Sequence, residues 1–249
     1  MSSLNTAAIR AQFPALRREE HGTTVAWFDG PGGSQVPQSV IDAISSFLSR
    51  GGSNHGGAFA ASRESDEAHE IARAAVADLF GARPDDHIAF GMNMTSLNFS
   101  LSRALSATWA PGDEVVVTRL DHDANVAPWL RAAADRGATV RWVPFNPTTY
   151  RLDLDRLAEV VGSRTKVVAI THASNAIGTI VDIAAATRIA HDAGAVIVVD
   201  AVHYAPHGLI DIAGTDCDFL LASSYKFFGP HIGALAGRAA LLEELDAYK

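Results

Sequence analysis

From about residue 85 to residue 237, short runs of β-branched and other apolar residues alternate with alanine-rich amphipathic segments. That alternation is the βαβ rhythm of a mostly parallel sheet covered by helices on both faces. The predicted strands are His87–Met92, Glu114–Thr118, Thr139–Val143, Lys166–Thr171, Ala195–Asp200, Asp218–Ala222 and Gly233–Gly237. Between them the spacing places helices near Thr95–Thr108, Ala124–Arg136, Leu154–Val161 and Ile183–Ala193, each long enough for a right-handed crossover. Ahead of the sheet, Val36–Arg50 and Glu64–Phe80 carry apolar periodicity. The segment Gly51-Gly-Ser-Asn-His-Gly-Gly57 separates them and, with four glycines, reads as a loop. Ala239–Tyr248 reads as a last helix.

A chain of 249 residues with 48% hydrophobic residues can bury one large α/β core. No linker interrupts it, so the expected organisation is an N-terminal arm over residues 1–20 and one domain over 21–249. Lys plus Arg number 20 against 28 Asp plus Glu, a formal charge of −8, which argues against nucleic-acid and anionic-membrane partners. The single cysteine, Cys217, excludes an internal disulfide and any multi-thiolate zinc site, and fits the cytoplasm. The N-terminus has neither a basic start nor an apolar stretch of signal-peptide type. No later apolar run approaches the roughly 18 residues of a membrane helix, so the protein reads as soluble and unexported.

The strongest local motif is Ser223-Ser-Tyr-Lys-Phe-Phe-Gly-Pro230, where a lysine directly follows an apolar strand. In a parallel sheet that is the carboxyl edge, where ligands bind. Packing by Phe227 and Phe228 would partly desolvate Lys226 and favour its neutral amine for Schiff-base chemistry. On this segment alone a solvated loop lysine is the plainer reading. The strand Ala195-Val-Ile-Val-Val-Asp200 delivers a carboxylate to the same edge, with an N-cap as the simpler alternative. His122 and His203 also follow strands, and the pair points to function more than either does singly. Metal binding by Asp121, His122, Asp123, Asp200 and His203 is disfavoured because no paired-ligand spacing occurs. Gly91-Met-Asn-Met-Thr-Ser96 joins a strand to a helix, so free amides with Thr95 and Ser96 hydroxyls form either a phosphate cradle or an ordinary cap. It matches neither the P-loop nor the dinucleotide fingerprint. A phosphate site, a lysine, an aspartate and a histidine on one edge together suit pyridoxal 5′-phosphate (PLP), which needs an anion hole, an amine and a carboxylate at its ring nitrogen.

Further landmarks are Phe13-Pro-Ala-Leu16, Trp27-Phe-Asp-Gly-Pro-Gly-Gly-Ser-Gln-Val-Pro37, His55, Asn93-Met-Thr-Ser96, Asp121-His-Asp-Ala-Asn125, His172-Ala-Ser-Asn-Ala-Ile-Gly-Thr179, Val199-Asp-Ala-Val-His203 and Ser223-Ser-Tyr-Lys226. In this order and spacing the chain resembles the cysteine desulfurase-like proteins of the class V aminotransferase family, PLP enzymes of fold type I. The resemblance implies the fold type I large domain, a seven-stranded, mostly parallel sheet flanked by helices. It implies that Lys226 attaches PLP and shuttles the α-proton, that Asp200 pairs with the ring nitrogen and that His122 stacks on the ring. Thr95 and Ser223 would bind the phosphate, with Met94 and Tyr225 in the same cofactor set. Asn175 and His203 would lie near the ring hydroxyl, and His55 and Asn175 would border the substrate pocket. A homodimer and an amino-acid substrate are also implied.

The chain departs from the family pattern in three ways. His203 stands where the desulfurases usually carry glutamine, and Tyr225 where they usually carry histidine. Family members also continue into a small C-terminal domain that supplies a carboxylate-binding arginine and a persulfide cysteine, and the resemblance finds no counterpart of it in these 249 residues. Cys217, at the start of an apolar strand, reads as a buried core thiol. The leading expectation is a PLP enzyme, or its large domain, acting by desulfuration, elimination or transamination, with the short chain inactive alone. The alternatives are a non-catalytic PLP-binding or scaffold protein, and a nucleotide-binding α/β protein whose phosphate fingerprint is missing.

Overall fold

The computed structural model describes residues 4–246, which fall into two compact units. The first unit holds the chain up to Ala75 together with Ser224–His231. It contains α1 (Thr6–Ala11), the two-residue strands β1 (Glu19–Glu20) and β2 (Thr23–Thr24), α2 (Gln38–Arg50) and most of α3 (Ala60–Leu79). Neither α1 nor the β1–β2 hairpin was expected, because elements this short carry no readable periodicity. Asn5 caps α1 by accepting the Ala8 amide at 3.1 Å. His21 and Gly22, both at positive φ, make the tight turn between β1 and β2. α2 starts two residues later than its apolar period suggests, since Pro37 is extended at the cap, and stops at left-handed Gly51. α3 starts earlier than Glu64 because Ser62 and Ser65 face inward. Their hydroxyls donate to Asn54 O at 2.7 Å and Ser53 O at 2.6 Å, which pins the glycine-rich loop to the helix.

The second unit begins inside α3 at Val76 and carries the sheet. Its elements run β3 (Asp86–Gly91), α4 (Met94–Leu105), β4 (Glu114–Thr118), α5 (Ala127–Arg136), β5 (Thr139–Val143), α6 (Leu154–Val160), β6 (Thr165–Thr171), α7 (Ile183–Asp192), β7 (Val196–Asp200), α8 (Ile212–Thr215), β8 (Phe219–Ser223), β9 (Gly233–Arg238) and α9 (Ala239–Glu243). The seven strands lie in the order β3-β9-β8-β7-β6-β4-β5. Pairing is parallel from β8 through β5, and β9 is antiparallel to both β3 and β8. The reversal follows from the linker: the segment between Ser223 and Gly233 is too short for a parallel crossover. α9 ends at Glu243, short of the predicted Tyr248, and residues 247–249 lie outside the described part.

The central strands are buried on both faces, which explains their unbroken apolar runs: Val115, Val116, Val117, Val198, Val199 and Leu221 have no exposed surface. Burying each such side chain contributes about 1.5–3 kcal/mol. Leu101, Trp129 and Phe219 pack in the same cluster, so α4 and α5 are fastened to the sheet. This rigid layer fixes where the strand ends point.

Candidate functional site

β4 and β6 are neighbours, yet the chain leaves β4 toward β5 on one side and leaves β6 toward β7 on the other. Connections that diverge in this way open a crevice at the carboxyl ends of the two strands, the usual ligand position in an open α/β sheet. The segment after β4 brings Asp121 and His122 there. The segment after β6 brings His172 and Asn175, and the end of β7 brings Asp200.

Asp200 is 4% exposed, and its Oδ1 accepts the Val202 amide at 2.9 Å. Its own carbonyl accepts the His172 amide at 2.8 Å, so the ends of β6 and β7 are tied together. His203 lies in the turn that follows, with its ring 5.0 Å from that of His207. His122 is exposed and caps a short 3₁₀ turn, its Nδ1 accepting the Ala124 amide at 3.0 Å. That bond puts the proton of the neutral ring on Nε2. It also explains why α5 begins at Ala127 and not at Ala124. Asn175 is half-buried in a turn that Ser174 closes by donating its amide to Thr179 O at 2.9 Å.

At the start of α4, Asn93 caps the helix by accepting the Ser96 amide at 2.8 Å. The Met94 amide donates to Ser223 Oγ at 2.9 Å, joining the end of β8 to the helix start. Among the described residues the Thr95 amide has no acceptor. Gly233 lets these backbones approach, since a Cβ there would sit 2.3 Å from Asn93 C.

A polar network that sequence reasoning did not assemble underlies this edge. Asn98 Nδ2 donates to Asn125 Oδ1 at 2.9 Å, and Asn125 Nδ2 donates to Asp121 Oδ1 at 2.7 Å. The Thr118 hydroxyl donates to the other Asp121 oxygen. Burial pushes the Asp121 carboxyl up to about 7, and the charge of Asp200 adds to the shift. The available signal was Asn98 itself, a polar residue at helical spacing between buried Met94 and Leu101. His172 was likewise quoted without a role. It is buried, stacks on Tyr204 at 3.6 Å between ring centroids, and has its pKa lowered to about 4 by desolvation.

The predicted lysine lies in the first unit, on a 3₁₀ turn (Ser224–Lys226) that directly follows Ser223 of β8. Lys226 Nζ donates to Pro31 O and stands 4.9 Å from the centre of the Tyr225 ring. Tyr225 stacks on His231 at 4.1 Å. Phe228 is 48% exposed and its ring meets Phe13 edge-on at 5.5 Å. His55, in the same unit, sits on the glycine-rich loop with Nδ1 3.8 Å from Asp66. Among the described residues no group of three His, Cys, Asp or Glu side chains is placed to hold a metal ion.

The profile of the aminotransferase class-V family matches residues 26–249. A probable cysteine desulfurase of Vibrio cholerae is 36% identical over 98% of this chain and 61% of its own length. An aminotransferase-like protein of Gibberella zeae is 35% identical over 99% of this chain and 61% of its length. Among solved structures, an Escherichia coli cysteine desulfurase in its S-sulfonic acid form matches with a TM-score of 0.85 at 32% identity, covering 99% of this chain and 61% of that one. The chain thus spans about three fifths of the length of these relatives.

Proposed function

The chain belongs to the aminotransferase class-V family, and from that premise we propose that residues 21–249 form the PLP-binding large domain of a cysteine desulfurase-like enzyme acting on an amino acid. PLP, when bound, supplies an aldehyde for an amine and a ring that accepts electron density from the substrate Cα. The residues present fit that group. The single observation that carries the proposal is the start of α4. There the Thr95 amide lacks an acceptor among the described residues, at the positive end of a 12-residue helix and beside the Ser223 hydroxyl. Ser223 accepts the Met94 amide and keeps its own O–H to donate, so Thr95 and Ser223 would hold the phosphate.

Asp200 would keep a proton on the ring nitrogen, being buried and already oriented by the Val202 amide. His122 would lie against the ring face, and Asn175 and His203 near the ring hydroxyl. Lys226 Nζ would supply the attaching amine, then take and return the substrate's α-proton; Tyr225 would sit beside it. His55 would border the substrate. A homodimer in the cytoplasm completes the proposal. It is supported by the exposed Ile41, Ile44 and Leu48 along α2, and no described helix is long and apolar enough to cross a membrane.

The test is to mix the chain with PLP, record the visible absorption, reduce with borohydride and map the peptides. The phosphopyridoxyl group is expected on Lys226, with the band lost in Lys226→Ala. Label on another lysine, or none, overturns the assignment. Alanine and sulfide production from cysteine by this chain and by a longer form then identifies the reaction.

A further inference from the structure

Ser34, which follows the turn Gly30-Pro-Gly-Gly33, is 192 residues from Lys226 in sequence yet bonded to Tyr225 and Phe228 on either side of it. Its amide donates to Tyr225 O at 2.7 Å and its hydroxyl donates to the same oxygen at 3.0 Å. The same hydroxyl oxygen accepts the Phe228 amide at 2.6 Å. One side chain therefore ties the residue before Lys226 to the residue two after it.

The segment it ties is a tight one. Phe228 has φ of 73°, a left-handed conformation that bulky L residues rarely adopt. The Phe227 and Gly229 amides both donate to Ser224 O, at 2.9 and 2.8 Å. The Ser34 side of the clamp is equally constrained. Gly33 has φ of 156°, and Gly32 donates its amide to Asp29 O at 2.7 Å, which holds the Pro31 carbonyl that receives Lys226 Nζ.

We propose that Ser34 is a positioning residue: its hydroxyl fixes the backbone on both sides of Lys226 and thereby sets where the amine stands. The proposal rests on the reading of Lys226 as the cofactor-attaching amine. A hydroxyl is required because one group must donate toward Tyr225 and accept from Phe228 at once, which neither a methyl nor a hydrogen can do.

The experiment compares Ser34→Ala and Ser34→Thr with the parent chain, first without PLP. Hydrogen exchange of the 224–231 segment reads the clamp, and trinitrobenzenesulfonate labelling followed by peptide mapping reads the accessibility of Lys226. Ser34→Ala is expected to speed both by about tenfold, the equivalent of one net hydrogen bond. With PLP added, its attachment to Lys226 is expected to slow and the pH midpoint of the visible band to move. Ser34→Thr should restore all of these. Unchanged exchange shows that no clamp exists. Faster exchange with unchanged Lys226 labelling shows a merely structural serine. Either result overturns the proposal. If the parent chain takes up no PLP, the reading of Lys226 falls, while exchange and labelling still decide the clamp.

Discussion

At the amino end of β4, Glu114 accepts Arg141 and Arg164 at 2.8 Å each, whereas three residues beyond its carboxyl end Asp121 is held by a hydroxyl and an amide. The consequences are opposite in sign. The Arg141 guanidinium, followed by that of Arg164, holds Glu114 below the usual carboxylate range, while burial lifts Asp121 to about 7. The rest of each edge follows suit. On the amino side Asp218 accepts Arg238 Nε at 2.7 Å, and Asp216 pairs with both Arg238 and Arg83. On the carboxyl side Asp200 accepts the Val202 amide. Charges on the amino edge are neutralised by permanent partners and serve the fold. On the carboxyl edge Asp121 is oriented by neutral donors, so burial and not a neighbouring cation sets its protonation.

The largest expected break in this contrast is Asp200→Asn. The asparagine Oδ1 can still accept the Val202 amide. In a PLP-loaded form extended to the relatives' full length, α-proton exchange of the substrate with solvent should fall by orders of magnitude, because under the proposed role of Asp200 the ring nitrogen would lose its charged partner. Unchanged exchange would show that Asp200 has no such role. Next comes Arg238→Ala on the opposite edge. It takes the guanidinium from Asp218, whose side chain is 6% exposed and keeps His191 Nε2 and the Ile197 amide as partners, and should cost about 2–3 kcal/mol in urea unfolding while leaving PLP uptake intact.

Much of this was legible because the physics is local. Unbroken runs such as Val115–Val117 announce strands buried on both faces, and a charged residue ending such a run, as at Asp200, marks the ligand edge. The tertiary features were not. Whether Asn98 reaches Asn125, and Asn125 reaches Asp121, depends on how α4 lies against the segment after β4, which no spacing encodes. The same holds for the Ser62 and Ser65 hydroxyls that order the glycine-rich loop, and for the edge-on contact of the Phe228 ring with Phe13. The antiparallel course of β9 went unread, although its short connection carries the signal.

Asp121→Asn sharpens the comparison by pH. The Asp121 carboxyl titrates at about 7 when folded against 3.8 for the free side chain. The folded state therefore binds the proton more tightly; its stabilisation is complete below the unfolded value and is lost as pH rises through about 7. From about pH 5 to about pH 8 the parent chain should lose roughly 2 kcal/mol relative to Asp121→Asn. Parallel unfolding curves at both pH values would place the titration elsewhere. Glu114 behaves in the opposite sense, its contribution being lost only in acid.

The smallest effect belongs to Cys217, which precedes β8 on the ion-paired edge. It is fully buried, and desolvation pushes its thiol up to about 11. A thiol that is both inaccessible and protonated cannot act as a nucleophile on any substrate at the opposite edge. Cys217→Ala should cost about 1 kcal/mol, the removal of one small buried group, and leave PLP uptake unchanged. A thiol-reactive probe at about pH 8 should modify the native chain only as fast as it unfolds, so labelling should accelerate in urea along the unfolding curve. Rapid labelling of the folded chain would show that the amino edge opens locally. Loss of cysteine-derived sulfide in Cys217→Ala, in a longer form that produces it, would place the thiol on the functional edge after all.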